Sequence, residues 1–456
     1  MLFVLSKCSY SQKNIQNVTT KLSDNTLGCV RISRRELTGK EAALKDQIIF
    51  HTFVWASAPA RRGAARRHEF PHTEMKEMVF QRGYFYSELF TRNTYTPFFF
   101  PGGGNALLFP FVSIVRFANS DCSSTNTMNG TCLARRECNN LNGTITGTCA
   151  SRRGRCCIVS RTCGRTTNVN NTYFTSPGYP AAYAGGQACT IIVNRCNNNI
   201  CQLRIDFLDM VLAQPNGDGV CNTDSITITG GNTIVPTLCG DNTGQTLFVD
   251  FNGNAAITIT VTATLATMFS RRWNIRLIQL GCDCPGIAPN GCLQYYTGTT
   301  GTITSFNYGT AANTALSASL VTGTRQIANL NYGICIRMEA GFCTIQYAQT
   351  ANDIFSFTVT GDVEGADNTV LGTAVGAVND GACTTDFVVI PNPTVVATGV
   401  AVGTDRFCGL GFVTVQTGAK PFVLYVVTDG NEGATATTPP DVANRGFSLA
   451  YTQVAC

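Results

Sequence analysis

The placement of the cysteines constrains this chain more than any other feature. Only Cys8 and Cys29 precede residue 122, and the other 20 of the 22 are an even number spread through the rest. Free thiols at this density would be a liability in a reducing compartment. Oxidised pairs would instead tie together short-stranded domains. Zinc knuckles would need paired C-x2-C spacings with tetrahedral partners. Cys282-x-Cys284 and the adjacent Cys156-Cys157 fit disulfides better. The expectation is a secreted, disulfide-bonded protein. The sequons at Asn129, Asn142 and Asn170 agree with a lumenal route and mark the candidate glycosylation sites.

Histidine and lysine are distributed just as unevenly. All three histidines (His51, His68, His72) and six of the seven lysines lie near the N-terminus, leaving only Lys420 beyond residue 116. Residues 116–456 therefore supply no Ser/His/Asp or Cys/His unit and no histidine-rich zinc site. No catalytic residue is assigned, and the chain is not expected to be an enzyme. A net charge of +5 is too small to argue for nucleic acid. No segment reaches the roughly 18 apolar residues needed to span a bilayer. The start, Met1-Leu-Phe-Val-Leu5, is too short for a signal core. Residues 1–115 are read as a leader or disordered segment, or as a mispredicted exon.

Beyond this stretch the sequence divides into three parts. Residues 116–160 hold six cysteines among Gly-rich spacers, too little apolar material to stand without cross-links. Residues 161–282 alternate apolar and polar side chains in Gln202–Phe207, Ser225–Thr229 and Ala256–Thr262, with threonine on the outer face. That period of two, broken by turn clusters such as Pro215-Asn-Gly-Asp-Gly219, predicts antiparallel strands of an all-β sandwich. Residues 283–456 repeat the theme less regularly and predict a second sandwich. The short junction Gly281–Gly286 should keep the two close together.

Cys163, the turn Ser176-Pro-Gly-Tyr-Pro-Ala-Ala-Tyr183, Cys189-Thr-Ile-Ile, Cys221-Asn-Thr-Asp224, Leu238-Cys-Gly240 and Trp273 together resemble a CUB domain. The resemblance implies a jelly-roll-type β-sandwich with disulfides Cys163–Cys189 and Cys221–Cys239, while Cys196 and Cys201 would close a local hairpin. The second sandwich resembles a divergent copy: Cys383-Thr-Thr-Asp386 matches Cys221-Asn-Thr-Asp224, and Arg406-Phe-Cys-Gly409 matches Leu238-Cys-Gly240. Cys383–Cys408 follows from that match. Pairing among Cys282, Cys284, Cys292, Cys335, Cys343 and Cys456 stays open. The six-cysteine block has the order of a clip domain, which implies Cys122–Cys156, Cys132–Cys149 and Cys138–Cys157. The whole arrangement resembles secreted CUB proteins of arthropods.

Calcium needs six to eight oxygen ligands, usually several of them carboxylates. Calcium-binding CUB domains use a tyrosine and three acids. Here Tyr183 and Asp224 match two of those places, while Ala213 and Val261–Thr264 lack the remaining carboxylates. In the second copy Asp386 and Asp429 are placed for such a site, with Asp362 or Glu364 as the matching acid. No cofactor is expected, and Tyr183, Asp224, Asp386 and Asp429 are the weak metal candidates. Tyr179, Tyr183, Arg271, Arg272 and Trp273 are the ligand-binding candidates. Their plainer readings are packing for the tyrosines, a solvated loop for the arginines and core for Trp273. The resulting expectation is a secreted, non-enzymatic protein that binds extracellular protein or glycan. The alternatives are a non-catalytic regulator in a protease cascade and a matrix or cuticle component.

Overall fold

The structure, a computed structural model, describes residues 117–456 apart from 124–127, 266–269, 312, 314–323, 361–368, 380, 431 and 433–443. The expectation for residues 1–115 lies outside the described residues. So do Asp362 and Glu364.

The cysteine-rich segment builds β1 (Asp121–Ser123), β2 (Asn129–Leu133), a six-residue helix α1 (Arg135–Asn140), β3 (Thr144–Cys149) and β4 (Gly154–Arg161). Strands β2 and β3 flank β4, both antiparallel to it. Three disulfides, Cys122–Cys156, Cys132–Cys149 and Cys138–Cys157, cross this small sheet. Their sulfur atoms stand in for a core, with Leu133 and Val159 the main apolar side chains buried around Cys138 and Cys157. Space is so short that a Cβ on Gly154 would fall 2.5 Å from the Cys132 sulfur. Strand β4 then runs on to Arg161 and pairs in parallel with residues Thr172–Phe174, Val159 opposite Thr172. One continuous strand thus crosses from the cysteine-rich segment into the sandwich.

The first sandwich uses β5 (Arg165–Thr167), β6 (Thr172–Thr175), β7 (Cys189–Val193), β8 (Ile200–Val211), β9 (Asp224–Thr229), β10 (Thr246–Asp250), β11 (Ile257–Ala263) and β12 (Arg272–Gly281). One sheet runs β1-β2-β4-β6-β12-β8-β10, with β3 on β4, and the facing sheet runs β5-β7-β11-β9. The alternation in the sequence is realised directly. Ile226, Ile228, Ile257, Ile259 and Val261 point inward and are buried, while the Thr190 and Thr260 hydroxyls meet on the outer face at 3.0 Å. Cys163–Cys189 and Cys221–Cys239 are bonded.

The expected Cys196–Cys201 hairpin does not form. Cys201 lies at the start of β8 beside the end of β12, where Gly281 faces Ile200, and it bonds Cys282. The neighbouring strand, not the local turn, supplies its partner. Cys196 and Cys284 are also disulfide-bonded.

The second sandwich uses β13 (Cys292–Tyr296), β14 (Thr300–Thr304), β15 (Asn331–Ile336), β16 (Phe342–Gln349), β17 (Phe357–Thr358), β18 (Ala377–Val378), β19 (Phe387–Val389), β20 (Pro393–Val395), β21 (Arg406–Gly409), β22 (Val415–Thr417), β23 (Phe422–Val427) and β24 (Gly446–Ala455). Its sheets run β13-β15-β23-β19-β21-β18 and β14-β24-β16-β22-β20, with β17 on β24. Disulfides Cys292–Cys335, Cys343–Cys456 and Cys383–Cys408 close it. The expected all-β architecture of two disulfide-bonded sandwiches is the one observed.

A buried polar seam joins the sandwiches. Asn307, with no exposed surface and a left-handed φ of 59°, is its centre. Its carbonyl oxygen accepts from the Asp241 backbone at 2.9 Å, and its amide donates to Gln214 at 2.8 Å and to the Arg325 carbonyl at 2.7 Å. Its backbone N–H reaches the Asn242 side chain at 2.9 Å. Gln245 adds bonds to Thr304 and accepts one from Gln294. An asparagine tolerates the left-handed region and offers both a donor and an acceptor, which explains this residue type here.

Candidate functional site

Each sandwich gathers charged groups at one loop end, and the two ends differ in chemistry. In the first, the turn Ser176–Tyr183 leads into the loop that faces β12. The Tyr183 ring stands edge-on to Trp273, with centroids 5.4 Å apart, and its backbone N–H donates to the Arg271 carbonyl at 2.8 Å. Trp273 packs on Phe174 and is fully buried, which is the core role. It is therefore out of reach as a ligand-binding residue.

Arg271 is corrected in the same way. Rather than lying in a solvated loop, its side chain has no exposed surface. Its Nε donates to Asp224 at 2.7 Å, and Nη1 donates to the carbonyls of Ala184 and Thr264 at 2.9 and 3.0 Å. The backbone N–H groups of Ala213 and Thr264 also donate to the Asp224 carboxylate. Both Asp224 oxygens are thus engaged, and a cation already sits among them. Calcium does not fit this end, because a side-chain guanidinium fills the position where carbonyls and carboxylate converge.

The exposed chemistry here lies one residue further on. Arg272 donates to Asp209 at 2.7 Å, and the Tyr179 hydroxyl reaches the same oxygen at 3.4 Å. The hydrogen bond it donates to Asp209 holds the Arg272 guanidinium above its ordinary pKa. Tyr179, Asp209 and Arg272 form a half-exposed polar trio, whereas the Arg271–Asp224 pair is buried.

In the second sandwich Asp386 and Asp429 come together as expected, and Glu432 joins them. Their ligand oxygens all lie within 4.8 Å of one another. Glu432 has no exposed surface and Asp386 is 1% exposed. Gln326 bridges them, donating to Asp386 at 2.5 Å and to Glu432 at 2.8 Å, while the Asp429 N–H donates to Asp386 at 2.8 Å. The other Glu432 oxygen is buried with no N–H donor beside it and faces Asp386, with which the carboxyl shares a hydrogen bond when protonated. Burial pushes the Glu432 carboxyl well above the usual carboxylate range, and the Asp386 charge adds to it. Asp386 is raised by burial as well.

Glu432 is a residue that the sequence reading missed. It stands three positions after Asp429, in Asp-Gly-Asn-Glu, a loop signal that could have drawn attention to it. The cluster is covered from the first sandwich. The Glu432 N–H donates to the Asp218 carbonyl at 3.2 Å, and a Cβ on Gly219 would fall 2.2 Å from the Glu432 side chain. Three acids whose oxygens converge in a buried place fit a divalent cation, for which oxygen ligands are the requirement.

Of the sequon residues, Asn142 is exposed at a turn. Asn129 and Asn170 are half-buried, and the Asn170 side chain accepts from the Gln279 backbone at 2.8 Å. Among the described residues no helix is long and apolar enough to cross a membrane.

Comparison with known proteins follows the same division. Residues 163–270 match the CUB domain family model, and residues 289–454 match the model of the animal CUB domain. No curated protein matches the chain. Among solved structures it is similar to the CUB1-EGF-CUB2 domains of rat MASP-1, at 15% identity over 63% of this chain and 99% of that chain, with a TM-score of 0.20. The same domains of human MASP-1/3 give 16% identity, 62% and 98% coverage and a TM-score of 0.20. The Ca2+-bound MASP-1 CUB2 domain gives 18%, 25% and 98%, with a TM-score of 0.22. The two family matches fall one on each observed sandwich, so this chain carries two CUB domains, the second of the animal type.

Proposed function

We propose that the chain is a secreted, non-enzymatic binding protein whose loops contact extracellular protein or glycan. The observation that carries this reading is how its reactive groups are used. Every described cysteine is disulfide-bonded, and Arg271, Asp224, Gln326 and Asn307 hold loops and domains in place. Half-exposed groups such as Tyr179 and Arg272 are left at loop ends, where binding surfaces are commonly built on rigid scaffolds. Oxidised cysteines also support an extracellular location. Asn142, exposed at its turn, is the sequon best placed to carry a glycan.

Asp386, Asp429 and Glu432 would hold a divalent cation, calcium by its oxygen preference. When bound, it would neutralise two buried carboxylates beneath the loop Pro215–Gly219. The chain's own part is to bring these acids together on Gln326 and to keep water away.

The test is surface plasmon resonance of the full chain, produced in an oxidising host, against panels of matrix proteins and glycans. Saturable binding that weakens in the double variant Tyr179→Ala, Arg272→Ala is expected. Turnover of a labelled substrate by the same preparation, or no saturable binding on any panel, would count against the reading.

A further inference from the structure

The cysteine-rich segment carries a charge imbalance that the two sandwiches do not share. Residues 117–160 contain five arginines and no lysine against two acids, Asp121 and Glu137, whereas residues 161–456 contain twelve basic and eighteen acidic residues. The fold then concentrates the charge. Leu133 at the end of β2 faces Arg155 at the start of β4, and Thr148 near the end of β3 faces it from the other side. Arg135 and Arg136 follow directly on β2, and Arg152 and Arg153 sit on the turn from β3 to β4. Five arginines therefore gather at one end of the strands β2, β4 and β3.

Three further facts set this end apart. None of the five arginines makes an ion pair or a side-chain hydrogen bond among the described residues. Arg135, Arg136, Arg152 and Arg153 are exposed. The turn that presents Arg152 and Arg153 holds Ala150, Ser151 and Arg152 all at left-handed φ, 48°, 53° and 69°, with no glycine among them. Such backbone costs stability at each residue and persists where the surroundings enforce it. Here the enforcement is the Cys132–Cys149 disulfide, bonded at the residue just before the turn. Of the acids, Glu137 is only half-exposed, and Asp121 is taken by Asn171, which donates to it at 2.7 Å.

We propose that this arginine end is a docking surface for a sulfated polysaccharide. Guanidinium groups bind sulfate through paired N–H donors, and several held on one rigid frame suit a ligand with a repeating anion. An acidic protein partner would bring its own cations, yet the one acid beside these arginines, Glu137, is half-buried and offers them little. The proposal rests on the reading of the chain as an extracellular binding protein, and it names the class of ligand and the surface.

Affinity chromatography and surface plasmon resonance of the full chain on heparin test it, with de-sulfated heparin, poly-glutamate and a sulfonate resin as comparisons. The expected result is retention on heparin that exceeds all three, with log affinity falling linearly against log salt. The pair Arg152→Asn, Arg153→Ser, in which asparagine keeps the left-handed position, should lower that slope by about two. Arg135→Gln with Arg136→Gln should act likewise, and Lys420→Gln should leave it unchanged. Equal retention on sulfonate resin, an equal loss from Lys420→Gln, or preference for poly-glutamate would each overturn the proposal. A chain that ignores heparin yet binds other matrix ligands would sink this inference and leave the wider function standing.

Discussion

Arg271 shows how one side chain decides what a loop end can bind. Its guanidinium and the Asp224 carboxylate are both fully buried and bonded at 2.7 Å, and Nη1 donates to two backbone carbonyls. Removing one member of such a pair strands the other charge in an apolar interior. Arg271→Ala should therefore destabilise the protein by about 3–5 kcal/mol, read by chemical denaturation. Added methylguanidinium should restore part of that loss, and Arg271→Lys should not match the wild type, lacking the planar fork. A variant as stable as the wild type would show that the pair is dispensable. The sequence did contain the clue to this burial. Arg271 bridges to Tyr183 immediately ahead of β12, two residues before Trp273, and a period of two puts them on the same face.

At the scale of elements, legibility followed locality. Strands such as β9 and β11 were readable because alternation is a local property, and every inward isoleucine is buried as the pattern requires. The parallel pairing of β4 with β6 left no such trace, since a ladder between strands carries no sequence motif of its own. Cys201 misled for the same reason, because proximity in sequence to Cys196 outweighed its place beside β12. Glu432 was hidden until the loop after β23 folded back over Asp386. The seam between sandwiches is likewise a tertiary feature, and Asn307, at its centre, is the residue that tests it. Asn307→Ala should lower stability by about 2–3 kcal/mol, because Gln214 and the Asp241 N–H lose a buried partner. It should also speed proteolysis at residues 281–286 relative to the wild type. Unchanged cleavage would mean that the seam does not hold the sandwiches together.

For the molecule as a whole, the carboxylate cluster predicts a stability that depends on pH and on cation together. The folded-state pKa values of Glu432 and Asp386 are raised, so between the ordinary carboxylate range and those raised values the folded chain holds more protons than the unfolded one. Stability in chelator should therefore be highest at the acidic side of this window and fall as pH rises through it. The slope is bounded by about 1.4 kcal/mol per pH unit for each proton. Calcium, binding the ionised cluster, should reverse the loss at pH 8 and do little at pH 5. Glu432→Gln should flatten the pH dependence and abolish the calcium effect. Denaturation midpoints at both pH values, with and without chelator, decide it, and a stability that rises with pH in chelator would refute the assignment.

The strand shared by the cysteine-rich segment and the first sandwich has a mechanical consequence. β4 lies alongside β6, with Val159, Ser160 and Arg161 in register with Thr172, Tyr173 and Phe174. A pull that enters at the arginine end and leaves through the sandwich runs along this ladder. Its hydrogen bonds are then loaded together in shear and do not peel apart one at a time. A chain held at that end would transmit tension to its sandwiches without a slack joint, as a strut does and a tether does not.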